Sequence, residues 1–283
     1  MTWFAIHLQI GGTTLDTAIF WRFALAVLLL GAGLGVTGRL RRPPRAALPW
    51  LAVMGVCLFS CNFLAIYSSE IFLPSGTVSV IFSMSAILNA LNQWIFFRQR
   101  PDARVLGGGV LGVCGVGLLL GGNADLGKET LIGMGLALVG TTMFPLGNMV
   151  SKRLGRFDLG LLNTVFYGMV CGTLLMAGNT LIHGHDFMPP LTVRWLGGLI
   201  YLSVFGSVAG FLFYLALVQR IGADKAAYTT ILSPVIALGA SALWEGAHWS
   251  RPMLAGLLLI LMGNVLAFAR RRPAPQSVEV EQG

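Results

Sequence analysis

The chain has 283 residues, 55% of them apolar and only 11% charged, with a mean hydropathy of +0.77. Soluble domains carry about a quarter of their residues as charges, so this composition excludes an ordinary water-soluble protein and predicts an all-α polytopic membrane protein. The net charge of +8 does not point to nucleic acid. The basic residues sit in short clusters between apolar stretches, where the positive-inside rule places them.

About 20 apolar residues cross the hydrocarbon core as a helix. Taken in chain order, that length predicts spans over Leu15–Gly35, Leu48–Ser68, Thr77–Phe97, Val105–Gly121, Thr130–Val150, Leu159–Ile182, Trp195–Leu217, Ala226–Trp244 and Pro252–Ala269. Met1–Ile10 is apolar but spans only about half a bilayer at 1.5 Å per residue. It has no basic n-region and does not read as a cleavable signal. Cys57, Cys61, Cys114 and Cys171 all lie within the spans, with no metal-ligand spacing to a histidine. They read as small hydrophobes, and neither metal nor cofactor is expected.

Loop charge sets the direction. Alternate loops and the C-terminus carry fifteen of the nineteen Lys and Arg residues, including Arg39, Arg41, Arg98, Arg100, Lys152, Arg153, Arg220 and Arg270. The opposite side has Lys128, Arg194 and Arg251. This bias predicts a cytoplasmic C-terminus in the cell inner membrane, with a polar, disordered tail over 273–283.

An internal repeat is also visible. Leu73–Leu120 aligns without a gap on Ile221–Phe268, pairing Ser85 with Ser233, Gly108 with Gly256 and Gly115 with Gly263. The turn from Glu70 to Gly76 has no Lys or Arg, whereas its counterpart from Val218 to Asp224 contains Arg220. Equivalent loops therefore belong on opposite faces, the pattern of inverted-topology repeats in secondary transporters, whose solute site lies between the halves. Small-xxx-small pairs at Gly31/Gly35, Gly108/Gly112, Gly117/Gly121, Gly168/Gly172 and Gly206/Gly210 predict close helix packing within lipid.

The segment Gly206–Ile236, with its Gly-Ala-Asp-Lys turn at 222–225 and its Ser233-Pro234 pair, resembles the second repeat of EamA-type carriers in the drug/metabolite transporter superfamily. Trp244-Glu245 resembles the family's carboxylate at the end of the penultimate span. The resemblance implies ten transmembrane helices in two inverted five-helix repeats, 1–125 and 126–272, and a default of amino-acid or metabolite export. It also implies a gating role for Pro234. Ala86 and Phe97 stand where the second repeat has Pro234 and Glu245. Without a proline the first-repeat helix is expected to keep its backbone bond, so that the two helices bend unequally. Thr2-Trp3-Phe4 resembles the middle of the family's first span, so the first helix is incomplete and an upstream start is expected.

Polar side chains within spans are costly and tend to face the bundle interior. The densest set is Ser83, Ser85, Asn89, Asn92 and Gln93; the last four share one helical stripe. Thr229, Thr230 and Ser233 are the repeat counterpart, and Asn62, Tyr67, Asn148, Asn163, Tyr167 and Tyr214 lie on other spans. Together these line a path for a zwitterion or polar metabolite; alternatively, each bonds a neighbouring helix. Arg22 is the one firm intramembrane charge, and either captures a substrate carboxylate or snorkels to backbone carbonyls. His7 either carries a proton or packs. All eleven acids fall in loops, tails or span ends.

These features predict a secondary transporter that exports a small polar metabolite by alternating access, with a small-molecule solute and membrane lipids as its partners. Two alternatives compete. A proton-coupled multidrug exporter needs a mid-membrane carboxylate, and an intramembrane lipid-modifying enzyme needs convergent catalytic groups. The sequence offers neither.

Overall fold

The computed structural model describes residues 12–121, 127–221 and 250–268, together with Ala5, Ile6, Gln9 and Gly239. The described chain is helical and has no strand. Its helices are α1 (Leu15–Val36), α2 (Arg45–Ser69), α3 (Ser75–Phe97), α4 (Ala103–Gly121), α5 (Lys128–Phe157), α6 (Leu161–Ile182), α7 (Val193–Ile221) and α8 (Arg251–Phe268). Six of them, α1, α2, α3, α5, α6 and α7, are long and apolar enough to cross a membrane. Their ends fall within a few residues of the predicted spans, except α5, which runs on past Val150 to Phe157. The expected span Ala226–Trp244 lies outside the described residues, as does nearly all of the fragment Met1–Ile10.

Local chemistry sets the helix ends. Pro49 occupies the first turn of the α-helical part of α2, where its missing N–H costs nothing. The Thr192 hydroxyl accepts from the Trp195 amide and caps α7. Arg98, at φ 54°, turns the chain out of α3, and Gly160, at φ +77°, leads it into α6.

Three helices depart from regular α geometry. In α2, residues Gly55–Ser60 form a π segment, and the Ser60 hydroxyl donates to the carbonyls of Gly55 (3.0 Å) and Val56 (3.2 Å). In α7, Leu202–Ala209 is likewise π-helical. Such bulges inside α-helices frequently mark functional positions. Helix α3 is interrupted at Met84, between Ser75–Ser83 and Ser85–Phe97. The interruption falls two residues before Ala86, the position that lacks the proline. The hydroxyls of Ser79 and Ser83 each donate to a carbonyl three residues back, both at 2.7 Å, and this local bonding competes with the helical ladder.

Helix α1 packs along α6 and the π segment of α7, α2 lies between α5 and α6, and α3 packs on α5. Phe23, Phe59, Phe63, Tyr67, Phe144 and Phe211 join one buried cluster where α1, α2, α5 and α7 meet. Many large apolar side chains, among them Leu28, Val110, Leu174, Phe205, Phe213 and Leu258, point outward, as lipid-facing surfaces do.

Helices α4 and α8 make the most extensive pairing and run antiparallel. Gly108 meets the Gly263 carbonyl so closely that a methyl group there would collide with it, and a Cβ on Gly115 would lie 2.6 Å from the Gly256 oxygen. Gly172 packs against Phe59 in the same way, whereas Gly35 and Gly117 meet nothing within 4 Å. Close approach thus explains some of the small-residue pairs and not others.

Candidate functional site

The interior holds two polar centres joined by aromatic rings. The first surrounds Arg22, about two turns into α1. Its side chain is only 1% exposed. Nε donates to Ser207 Oγ at 2.9 Å, and Nη1 donates to the Tyr67 hydroxyl at 3.2 Å. Tyr67 in turn donates to Gln9 Oε1 at 3.3 Å. Ser203 Oγ donates to the Arg22 carbonyl at 2.9 Å, so two serines of the α7 π segment hold this one residue. The guanidinium carbon sits 4.4 Å from the centre of the Phe63 ring and 5.5 Å from that of Phe23, within cation–π range. Among the described residues no carboxylate forms an ion pair with it.

The second centre is a hub on Asn148. Its Nδ2 donates to Asn89 Oδ1 at 3.3 Å and to the Tyr214 hydroxyl at 3.2 Å, joining α5, α3 and α7. Asn148 Oδ1 and the nearby Ser85 Oγ are buried and make no hydrogen bond, and the Asn89 side chain also lies against the Tyr214 hydroxyl. A buried polar atom left unsatisfied costs about 1–3 kcal/mol.

Helix α7 connects the centres. Ser207, Phe211 and Tyr214 are spaced by four and three residues and so share one face. Ser207 touches Arg22, the Phe211 ring lies 4.8 Å from Phe59 and 6.2 Å from Phe63, and Tyr214 packs 5.3 Å from Phe144. The resulting line runs polar, aromatic, polar.

The remaining sequence candidates are scattered. Asn62 Nδ2 donates to the Gly140 carbonyl at 2.7 Å, tying α2 to α5. Asn163 accepts from the Arg41 amide and donates to the Arg39 carbonyl, fixing the loop after α1. Ser83 Oγ accepts from Asn264 Nδ2 at 3.0 Å. Tyr167 is half-buried beside Phe166. Asn92 is half-buried and Gln93 buried. His7, Thr229, Thr230, Ser233 and Pro234 lie outside the described residues. Sequence reasoning missed Ser203, Ser207, Gln9 and Asn264. A small hydroxyl residue in a span carries no mark of its partner, and Ser207 reaches Arg22 from 185 positions away.

Asp16 and Glu70 sit at helix ends as expected, yet both are buried. Asp16 pairs with His185 Nδ1 at 2.8 Å and accepts from Asn179 Nδ2 and the Thr17 amide. Among the described residues no three His, Cys, Asp or Glu side chains converge as a metal site. A groove of about 390 Å³ between α3 and α4, lined by Met84, Ile87, Leu91, Gly109 and Val113, has an apolar lining suited to lipid rather than to a polar solute.

The model of the EamA-like transporter family matches residues 1–121 and 131–269, so the chain belongs to that family and is a multi-pass membrane protein. A probable terminal-alkyne amino-acid exporter of Streptantibioticus cattleyicolor is 24% identical over 279 residues, covering 95% of this chain and 91% of its own. A probable amino-acid metabolite efflux pump of Salmonella typhimurium is 23% identical over 242 residues, covering 82% and 81%. A solved crystal structure covering 96% of this chain and 97% of its own superposes with a TM-score of 0.68 at 16% identity, a likeness of fold alone.

Proposed function

We propose that the protein is a secondary carrier that exports a small polar metabolite, an amino acid or close relative, by alternating access between two inverted repeats. The observation that carries this reading is the buried line from Arg22 through Phe63 and Phe211 to Tyr214, Asn148 and Asn89. Hydroxyls and amides line its ends and aromatic rings its middle, which suits a solute with polar groups and an apolar body. The names of the two exporters above are in keeping with that class of solute.

Symmetry supports the mechanism. Shifting Gly108 and Gly115 by the repeat interval gives Gly256 and Gly263, and the contacts are crossed: Gly108 meets Gly263 and Gly115 meets Gly256. A crossed pairing of this kind is what a two-fold axis produces. Applied to the π segment Gly55–Ser60, the same shift gives 203–208, inside the π segment Leu202–Ala209. Two halves related this way have matching weak points in matching helices, and rocking one half against the other opens the line to each side in turn. The cation-exporter alternative needs a carboxylate at mid-membrane, and the two buried acids among the described residues, Asp16 and Glu70, both sit at helix ends.

The test is counterflow in proteoliposomes. Preloading with unlabelled amino acid should accelerate uptake of the labelled form, with saturation. Linear flux that ignores preloading would contradict a carrier.

A further inference from the structure

Arg22 is a buried cation whose side-chain hydrogen-bond partners are neutral. Its guanidinium has five N–H donors, of which the bonds to Ser207 and Tyr67 use two; the other three meet no acceptor among the described residues. Both partners are neutral hydroxyls. Each is itself fixed, Tyr67 by its bond to Gln9 and Ser207 by its place in the π segment beside Ser203. The long side chain is therefore held in one pose rather than reaching for the membrane surface. Phenyl rings occupy one side of it, which stabilises the cation without neutralising it. Glu70 is also buried, at the end of the helical turn that carries Tyr67, and acts electrostatically on the Tyr67 hydroxyl.

We infer that Arg22 is the carboxylate anchor of the solute site, and that it selects α-amino acids with apolar side chains. This deepens the proposed function and rests on it. The planar guanidinium fork matches a carboxylate in a way that an ammonium or hydroxyl does not. The rings of Phe23, Phe59, Phe63 and Phe211, packed 4.8–6.2 Å apart beside it, receive an apolar side chain. The site is closed, so the acid enters when α7 moves away from α1. The Ser203 and Ser207 contacts are the ones that break, which places the π segment of α7 at the point where binding and opening meet.

The experiment is binding to the detergent-purified full chain by calorimetry, using L-leucine, L-methionine, L-phenylalanine, their carboxamides, and inorganic phosphate. At least one of the acids should bind saturably, and its carboxamide about tenfold or more weaker, the loss expected for a charge-assisted bond. Arg22→Gln should remove that preference, bringing acid and carboxamide to the same weak affinity, and Arg22→Lys should restore it in part. If Arg22→Gln is not monodisperse, Ser207→Ala reads the same property: acid affinity should fall while carboxamide affinity holds. Equal binding of acid and carboxamide, no binding of any acid, unchanged acid affinity in a folded Arg22→Gln protein, or phosphate bound as tightly as the acids would each overturn the assignment. Arg22-dependent binding without counterflow would overturn the carrier reading and leave the anchor standing. Counterflow undiminished in Arg22→Gln would do the reverse.

Discussion

Asn62 and Asn148 are both fully buried asparagines on apolar helices, and they do different work. Asn62 spends its amide on the Gly140 carbonyl, a bond between helices with little left to offer a guest. Asn148 bonds two side chains across three helices and keeps a buried oxygen unbonded. Asn62→Ala should therefore destabilise the fold by about 1 kcal/mol, seen as a lower melting temperature, while leaving the KM for transported solute within about twofold. Asn148→Ala should raise KM by roughly tenfold, the loss of one well-placed bond, while its melting temperature falls no further than that of Asn62→Ala, because the truncation also removes a buried oxygen that has no partner. The opposite assignment of the two phenotypes would show that the hub is structural. Nothing in the sequence separates these residues, because partner and free valence are tertiary facts. Arg22 could be picked out as the lone charge in a span, but its two possible roles were not distinguishable without Ser207 and Tyr67.

The contrast between glycines recurs at the level of elements. In the α4–α8 pair, Gly108 and Gly115 touch backbone of the partner helix, whereas Gly117 of the same helix faces open space. Gly115→Val forces the helices apart and should cost about 2 kcal/mol or more. Gly117→Ala should be neutral or mildly stabilising, within about 1 kcal/mol, because alanine favours the helix. Denaturation in detergent micelles would compare the two. A second element-scale feature is the segment after α6. The Thr17 hydroxyl donates to the Asp186 carbonyl at 2.9 Å, Trp21 Nε1 donates to the Phe187 carbonyl at 2.7 Å, and His185 pairs with Asp16, so residues 185–187 are strapped to the start of α1. Trp21→Phe removes one strap and keeps most of the ring packing. It should speed limited proteolysis in this segment by several-fold, the effect of losing roughly 1 kcal/mol of local closure. The helix ends were legible because bilayer thickness fixes span length. The π segments and the break at Met84 were not, since they arise from serine hydroxyls and packing that a hydrophobicity pattern does not record.

For the molecule as a whole, composition and loop charge were enough to read a helical membrane protein, because the penalties for charge in lipid are large and apply at every position. The proposed repeat rests on a handful of glycines, and α4 and α8 cross with the positions that it pairs exchanged. The proposed lining was less legible, because the same polar residue types serve helix packing as well as solute contact. Alternating access between inverted repeats requires the two halves to enter the membrane in opposite senses, and single-cysteine labelling tests that most directly. With Cys57, Cys61, Cys114 and Cys171 replaced by alanine, Ile71→Cys and Arg220→Cys report on the equivalent turns, both side chains being exposed. In intact cells a membrane-impermeant maleimide should label Ile71→Cys and should reach Arg220→Cys only after the membrane is opened. Labelling of both from the same side would contradict the inverted arrangement and the carrier mechanism built on it.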